Sequence, residues 1–314
     1  MKSMFRSTRH SPRGRGRPAV AGAAVVLALS LFGAAPGLAL AQNSGEGAIT
    51  GEALFAAGGC ANCHTDNKNK GPLLGGGAPI KTAFGTFYGP NISSHREFGI
   101  GKWTDADFIR ALRQGISPDG THYYPAFPYP SFTNLTDADL KALRAYIMSL
   151  PPVSQPSKPH DLRFPYNIRL GMVLWNFLYL DEGPMAPDPS RSAEWNRGRY
   201  LADGLAHCAE CHTPRNMFGA LDRRRWMAGN AKGEGPEGEA VPNITSQEES
   251  GIGKWTVDEI AESLKSGMLP DGDSFGSLMA DVVEHGTAKL SDADRRAIAV
   301  YIKSVPPLAG RGGK

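Results

Sequence analysis

Beyond its first 41 residues, the sequence has no apolar run long enough to cross a membrane, and it has very little cysteine. Residues 170–180 are apolar and aromatic, but eleven residues are too few for a membrane-spanning helix. No P-loop pattern is present, so nothing indicates a nucleotide site of that kind. No strand of any length is evident. The 38 glycines and 24 prolines predict long ordered loops between short helices.

The first 41 residues differ from the rest of the chain. Six basic residues precede any acidic residue, an apolar run covers residues 19–35, and Ala39-Leu40-Ala41 has the small-x-small pattern of a cleavage site. No Arg-Arg pair precedes the apolar run, which argues against the twin-arginine export route. This arrangement predicts a Sec-type signal peptide at residues 1–41. The alternative is an uncleaved N-terminal anchor.

Removal of this segment changes the sign of the net charge. The whole chain has 34 basic and 31 acidic residues, a formal net charge of +3. Six basic residues and no acidic residue leave with the signal peptide, so 28 basic residues remain against 31 acidic ones and the net charge becomes −3. A mildly acidic protein gives no indication of nucleic-acid binding.

The four cysteines lie in one pattern that occurs twice. They form Cys60-Ala-Asn-Cys63-His64 and Cys208-Ala-Glu-Cys211-His212. C-x-x-C-H is the attachment site of c-type haem, in which the thiols bond to the vinyl groups and the histidine binds the iron. A redox dithiol, a disulfide or a zinc site would be the alternative for a single C-x-x-C. Two copies behind an export signal predict two covalently attached haem c groups.

The chain contains an internal duplication, which is visible without the cysteines. The run Gly-Ile-Gly-Lys-Trp-Thr begins at Gly99 and again at Gly251, and Pro-Asn-Ile begins at Pro90 and again at Pro242. Both pairs are separated by the same number of residues. Each copy is about 100 residues long, the size of one small domain. We therefore expect a first domain at 45–153, a linker at 154–192 and a second domain at 193–308.

Each copy has the pattern of a short helical domain. Thr104 and Thr256 are each followed by an acidic residue three positions later, as in a capping box. Gly115 and Gly267 then end these middle helices. The order is a helix leading into C-x-x-C-H, a long loop, a middle helix, a ligand-bearing loop and a C-terminal helix. We expect an all-α fold of two tandem class I cytochrome c domains joined by an apolar and aromatic linker.

Several blocks together carry a resemblance to a known family. The chain resembles the cytochrome c subunits of membrane-associated periplasmic dehydrogenases of the alcohol and gluconate dehydrogenase type, over roughly residues 45–308. The family's usual form has a third haem domain and often a membrane-binding tail, whereas this sequence has two haem motifs. The matching blocks are Pro90-Asn-Ile92, the two Gly-Ile-Gly-Lys-Trp-Thr runs, Tyr124-Pro-Ala-Phe-Pro-Tyr129, Asn167–Pro184, Trp195-Asn-Arg-Gly198 and His207–Asn216.

The two copies differ at the position expected for the sixth iron ligand. His64 and His212 are the predicted ligands on one side of each haem. Met279, eight residues after Asp271, is the predicted ligand on the other side of the second haem, and Met268, near the end of the middle helix, is its alternative. The first copy has Phe127 at the matching position, and phenylalanine cannot bind iron. The alternatives for the first haem are His122, Tyr123 or Tyr124, a residue from outside the repeat (His95 or His160), or an open site.

The pattern predicts an electron-transfer protein that is not an enzyme by itself. Its expected partners are a periplasmic dehydrogenase and a downstream cytochrome or oxidase, with peripheral membrane association as a further expectation. The cofactor carries the redox chemistry, so no catalytic residue is needed beyond the iron ligands. The alternative is a dihaem peroxidase-like enzyme that uses an open first haem. The linker is expected to pack between the domains, and a docking surface for a partner is its alternative role.

Overall fold

The computed structural model describes residues 48–231 and 238–310, and the predicted signal peptide lies outside them. Five helices belong to the first repeat, and a sixth lies in the linker. They are α1 (Gly51–Ala57), α2 (Cys60–His64), α3 (Asp105–Gln114), α4 (Tyr129–Phe132), α5 (Asp137–Ser149) and α6 (Gly171–Tyr179). The described part of the second repeat has α7 (Ala193–Arg199), α8 (Ala209–His212), α9 (Val257–Ser266), α10 (Ser277–His285) and α11 (Asp292–Lys303).

The helix boundaries follow the capping signals of the sequence. The Thr104 side chain accepts a hydrogen bond from the backbone N–H of Asp107, whose carboxylate accepts from the N–H of Thr104. Thr256 and Glu259 form the same reciprocal pair at the start of α9. Both helices end at a glycine with positive φ, 66° at Gly115 and 76° at Gly267. Each capping box satisfies two of the free N–H groups of its first helical turn.

The expectation of an all-α fold is wrong, because the first repeat contains a small antiparallel sheet. Its strands are β1 (Pro79–Thr82), β2 (Gly85–Tyr88) and β3 (Asp161–Leu162), in the order β1-β2-β3. Strand β3 comes from the linker and pairs Thr86 with Asp161. The strands have two to four residues, too few for an alternating pattern to be recognised in the sequence. The fold is therefore mixed, with helices as the larger part.

In each repeat the first and last helices cross at a glycine. A Cβ at Gly51 would lie 2.4 Å from the carbonyl oxygen of Ala142, and one at Gly198 would lie 1.9 Å from that of Ala297. Gly51 precedes Cys60 by nine residues, whereas Gly198 precedes Cys208 by ten. A π-helical turn, Tyr200–Leu205, accommodates the extra residue. One inserted residue is the ordinary origin of such a turn, and these turns are frequent at functional sites.

The two repeats pack directly on each other. All described residues belong to one compact unit. The backbone N–H of Thr136 donates to the Tyr200 hydroxyl at 3.0 Å, and the Ser131 hydroxyl donates to the Glu210 carboxylate at 2.8 Å. Leu135, Leu201 and other side chains of both repeats share one apolar core. The C-x-x-C-H segment of the second repeat is thus held against helices of the first.

The linker helix α6 is anchored on one side and exposed on the other. The indole N–H of Trp175 donates to the carbonyl of Phe218 at 2.9 Å, and Asn176 accepts from the Tyr129 hydroxyl at 2.6 Å. The outward side chains include Leu170, 78% exposed, and Phe177, 84% exposed. The linker therefore contacts both repeats, as expected, but also presents an apolar stripe. Among the described residues, no helix is both long and apolar enough to span a membrane.

Candidate haem-binding sites

The first C-x-x-C-H segment forms the short helix α2. It begins after Gly59, whose φ of 63° lets the chain turn sharply out of α1. The Nδ1–H of His64 donates to the carbonyl oxygen of Pro90 at 2.8 Å. A Cβ at Gly89 would lie 1.8 Å from the carbonyl oxygen of Cys63, so only glycine allows this approach of the loop. The bond fixes the histidine tautomer and leaves Nε2 free as a metal ligand.

The second segment repeats this arrangement. The Nδ1–H of His212, a buried residue, donates to the carbonyl oxygen of Pro242 at 2.8 Å. Burial lowers the pKa of both His64 and His212, and the proline carbonyls oppose that effect. Both imidazoles are therefore held neutral, which is the form that binds a metal. The repeated Pro-Asn-Ile block of the sequence is thus the support of the histidine in each repeat.

The four cysteines fit thioether attachment better than a disulfide or a metal site. None of them is in a disulfide. Burial raises the pKa of Cys60 and of Cys208 to about 12, that of Cys211 to about 11, and that of Cys63 in the same direction. Burial therefore disfavours the thiolate form at all four positions. Within residues 48–231 and 238–310, no three His, Cys, Asp or Glu side chains converge as they would on a metal ion.

The two C-x-x-C-H segments are neighbours in space. The ring of His207, which directly precedes Cys208, lies with Nε2 3.3 Å from the carbonyl oxygen of Gly58, two residues before Cys60. His207 has a φ of 40°, an uncommon value outside glycine. Besides burial, Arg215 and Glu210, the Cys63 thiol also contributes to the shifted pKa of Cys211. Groups attached to these segments are therefore brought close to each other.

The predicted sixth ligand of the second haem and its counterpart in the first repeat lie in different settings. Met279 is half-buried on α10, not in a loop as its sequence context indicated, and packs against the core. Phe127 lies in the loop before α4, in a cluster of rings. Its centroid is 5.7 Å from that of Tyr123, 5.9 Å from that of Phe132 and 6.2 Å from that of Tyr129.

The other candidate ligands of the first haem have partners within the protein. His122 Nδ1 lies 3.4 Å from the side-chain nitrogen of Asn176 on α6. His95 Nδ1 accepts from the N–H groups of Glu97 and Phe98 at 3.2 and 3.1 Å. His160 Nδ1 accepts from the N–H of Tyr88 at 3.2 Å. These hydrogen bonds occupy one ring nitrogen of His95 and one of His160.

The sequence did not single out three groups of this region. The supporting carbonyls of Pro90 and Pro242 were visible only as a repeated block, because a backbone carbonyl has no residue-type signal. His207 belongs to a block shared with the resembled family, but its residue type gave no indication of a role. Asp203 is buried beside the second motif, and its Oδ2 accepts from the Tyr301 hydroxyl at 2.6 Å. The second repeat has one residue more than the first between its crossing glycine and its C-x-x-C-H motif. This insertion is the sequence signal that could have located Asp203.

Comparison with known proteins places these features in a family. The family model described as cytochrome c matches residues 48–151. The chain is 45% identical to a protein named "Diheme cytochrome c-type" from Cereibacter sphaeroides, over 90% of this chain and 97% of that protein. It is 42% identical to the fructose dehydrogenase cytochrome subunit of Gluconobacter japonicus, over 83% of this chain and 53% of the subunit.

A third relative is also a dehydrogenase subunit. The chain is 37% identical to the cytochrome c subunit of the quinone-type alcohol dehydrogenase of Gluconobacter oxydans, over 90% of this chain and 59% of the subunit. The chain thus spans between half and two thirds of these two subunits and nearly all of the dihaem protein. Its cofactor is haem c. On the similarity to the dihaem protein and on its two C-x-x-C-H segments, the chain belongs to the dihaem c-type cytochromes.

Proposed function

We propose that the protein is a periplasmic electron relay, which accepts electrons from a dehydrogenase and passes them to a downstream cytochrome or oxidase. The observation that carries the proposal is the contact between the two C-x-x-C-H segments through His207 and Gly58. Two redox groups held this close by one compact unit suit transfer from one to the other. When bound, haem c supplies a one-electron change at its iron.

The residues around each haem have separate roles in this proposal. Cys60 and Cys63 attach the first haem within residues 45–153, and Cys208 and Cys211 attach the second within residues 193–308. His64 and His212 bind the irons through Nε2, because the carbonyls of Pro90 and Pro242 hold Nδ1 protonated. These carbonyls make each imidazole a stronger electron donor to the metal.

The two haems are unequal in this proposal. Met279 supplies a thioether to the second iron, which favours the reduced state and raises the potential. The first haem has Phe127 at the matching position, within a cluster of aromatic rings. His122 is the alternative ligand, but it would have to leave Asn176 of α6. With these ligands the first haem would lack a sulfur ligand and have the lower potential, so electrons would pass from the first haem to the second.

The dehydrogenase partner is supported by the relatives and by the surface of α6. Both of the dehydrogenase subunits quoted above match the linker as well as the two repeats. Five outward residues of the linker follow the i, i+3, i+4, i+7, i+8 spacing of a helix that docks in a groove. They are Leu170, Val173, Leu174, Phe177 and Leu178.

The exposed patch is large enough for a protein partner. Five more exposed apolar residues adjoin the stripe, three of them just before it in the sequence and two in the segment of Phe218, whose ring centroid lies 6.5 Å from that of Tyr179 on α6. Ten half-exposed large side chains amount to on the order of 1,000 Å². A stable interface needs about 800 Å² per partner. Charges of both signs border the stripe, Arg169 before it and Asp181 and Glu182 after it, which suits the polar rim of a protein interface. The adjoining residues are Phe164, Tyr166, Ile168, Met217 and Phe218.

Two experiments on the exported protein test its cellular location and its function as an electron carrier. Residues 1–41 should direct it to the periplasm and be absent from the mature chain. Oxidised holoprotein mixed with membranes of its host should be reduced when an alcohol, a sugar or an aldonate is supplied. Phe177→Asp should slow this reduction without changing the haem spectrum, whereas Lys158→Asp, on the Tyr88 side of the molecule, should not.

Carbon monoxide and peroxide separate the relay from the peroxidase-like alternative. Carbon monoxide should bind rapidly to at most one of the two reduced haems, and peroxide turnover should stay at the level of free haem. Fast peroxide turnover by the purified protein would contradict the relay as its main function. Failure of every dehydrogenase substrate to reduce the protein would contradict the proposed donor.

A further inference from the structure

The second repeat buries a carboxyl group where the first repeat has a ring. Asp203 is 9% exposed and lies in the π-helical turn between α7 and the second C-x-x-C-H segment. Its Oδ2 accepts from the Tyr301 hydroxyl of α11 at 2.6 Å. Its Oδ1 is buried and has no hydrogen-bond partner. A buried carboxylate oxygen without a donor is costly, so the neutral acid is favoured at this position.

The buried carboxyl is found in the second repeat and has no counterpart at the matching place in the first. Tyr146 of α5 corresponds to Tyr301 of α11 in the duplication. Tyr146 packs against the ring of Phe55, with centroids 5.3 Å apart. Phe55 follows the crossing glycine of α1 by four residues, and Asp203 follows Gly198 by five. The inserted residue and the π-helical turn thus belong to the repeat that brings a carboxyl to the tyrosine.

Few charged groups face Asp203. From its own segment, Arg199 Nε lies 3.9 Å from Oδ2. From α11 only the Tyr301 hydroxyl reaches it. Arg197 of α7 is paired with Asp294 of α11, with Nε and Oδ1 2.7 Å apart. Burial raises the pKa of Asp203 to about 7, against the lowering effects of the Tyr301 hydrogen bond and of Arg199. The group therefore changes its charge near neutral pH.

Asp203 is electrostatically coupled to the haem attachment segment. The backbone N–H of Cys208 donates to the carbonyl oxygen of Ala202, the residue before Asp203, at 2.9 Å. After burial, Asp203 is also the next cause of the raised pKa of Cys208. A charge that acts on Cys208 also acts on a group bonded to that residue. We propose that Asp203 is a proton-binding site that couples reduction of the second haem to uptake of one proton. This function goes beyond the relay of electrons and does not depend on which donor supplies them.

The step balances in charge and atoms. One electron enters from the donor, and one proton from water converts the Asp203 carboxylate to the neutral acid. The added electron removes one positive charge near the carboxylate, so the carboxylate loses an attraction and binds a proton more tightly. Because linkage is reciprocal, protonation of Asp203 in turn favours the reduced state. The Asp203 carboxyl lies 3.9 Å from Nε of Arg199, whose side chain is 35% exposed, and solvent supplies the proton.

The test is the pH dependence of the two midpoint potentials in the purified holoprotein. Spectroelectrochemical titrations between pH 5 and pH 9 should show that one haem's potential falls as the pH rises through the neutral range. Asp203→Asn should remove this dependence at that haem. Reduced-minus-oxidised infrared spectra should show the C=O band of a protonated carboxyl in the wild type, and this band should be absent from Asp203→Asn.

A matched pair of tyrosine variants controls for changes of packing. Tyr301→Phe removes the hydrogen bond that stabilises the Asp203 carboxylate, so the pH transition should move upward. Tyr146→Phe, its counterpart against Phe55, should leave the transition in place. Two results would overturn the proposal: wild-type potentials that do not change with pH, or a pH dependence that persists in Asp203→Asn. If Asp203→Asn does not fold, an unmoved transition in Tyr301→Phe overturns it.

Discussion

Asp203→Asn should stabilise the holoprotein at neutral and alkaline pH. Burial raises the pKa of Asp203 to about 7 in the folded protein, whereas an aspartic acid in an unfolded chain titrates near 3.9. The folded pKa is the higher one. The stabilising contribution of the neutral acid is therefore complete below about pH 4 and is lost as the pH rises through about 7. Asparagine has no charge, so the variant does not undergo this loss.

The magnitude follows from the size of the shift. A difference of about 3 pKa units at about 1.4 kcal/mol per unit gives about 4 kcal/mol between the two limits. Between pH 5.5 and pH 8.5, the wild type should lose about 2 kcal/mol of unfolding free energy relative to the variant. Asp203 is almost fully buried, so solvent screening reduces this value little.

The assay is guanidinium unfolding of the oxidised holoprotein at pH 5.5, 7 and 8.5, followed by tryptophan fluorescence and by haem absorbance. Glu262→Gln is the control, because Glu262 is an exposed carboxylate on α9. The reasoning is refuted if the difference in unfolding free energy between Asp203→Asn and the wild type is constant between pH 5.5 and pH 8.5. Asp203 would then not change from a neutral acid to a carboxylate within this interval.

Three further predictions address packing, capping and ligation. Gly198→Ala should destabilise the protein by at least about 2 kcal/mol in the same unfolding assay, because its Cβ would lie 1.9 Å from the Ala297 carbonyl. Gly171→Ala, with no atom within 4 Å of the new Cβ, is the control and should be nearly neutral. Thr104→Ala and Thr256→Ala should each cost about 1 kcal/mol through loss of the N-cap, and equal stability of either variant and the wild type would contradict the capping argument. Met279→Ala should lower one midpoint potential and add a carbon monoxide site, and an unchanged titration would remove Met279 from the ligand set.

Local signals of the sequence predicted the helices well. The capping residues Thr104 and Thr256 and the glycines that end α3 and α9 act through contacts within a few residues, so their effects are visible in the sequence. The segment that forms helix α10 was expected to be the ligand-bearing loop, and Gly276, which precedes this helix, provides no side-chain cap. The start signal of that helix is therefore missing, and its stability comes from packing.

The sheet and the support of the histidines depend on distant parts of the chain. Strand β3 pairs Asp161 with Thr86, so neither segment alone carries enough residues to indicate a strand. The hydrogen bond from His64 to the Pro90 carbonyl likewise joins residues 26 positions apart. The C-x-x-C-H segments could be identified from the sequence because the spacing of their two cysteines matches that of the two vinyl groups of haem. The proton site at Asp203 required the contact with Tyr301, 98 residues away.

The measurement that tests the relay most directly is a combined haem count and potentiometric titration of the purified holoprotein. The account predicts two covalently bound haems per chain and two resolved one-electron steps, the higher of which falls in Met279→Ala. It also predicts that Phe127→Met raises the lower step by supplying the missing thioether. A single haem per chain would contradict the account, as would two steps of equal potential that neither substitution alters.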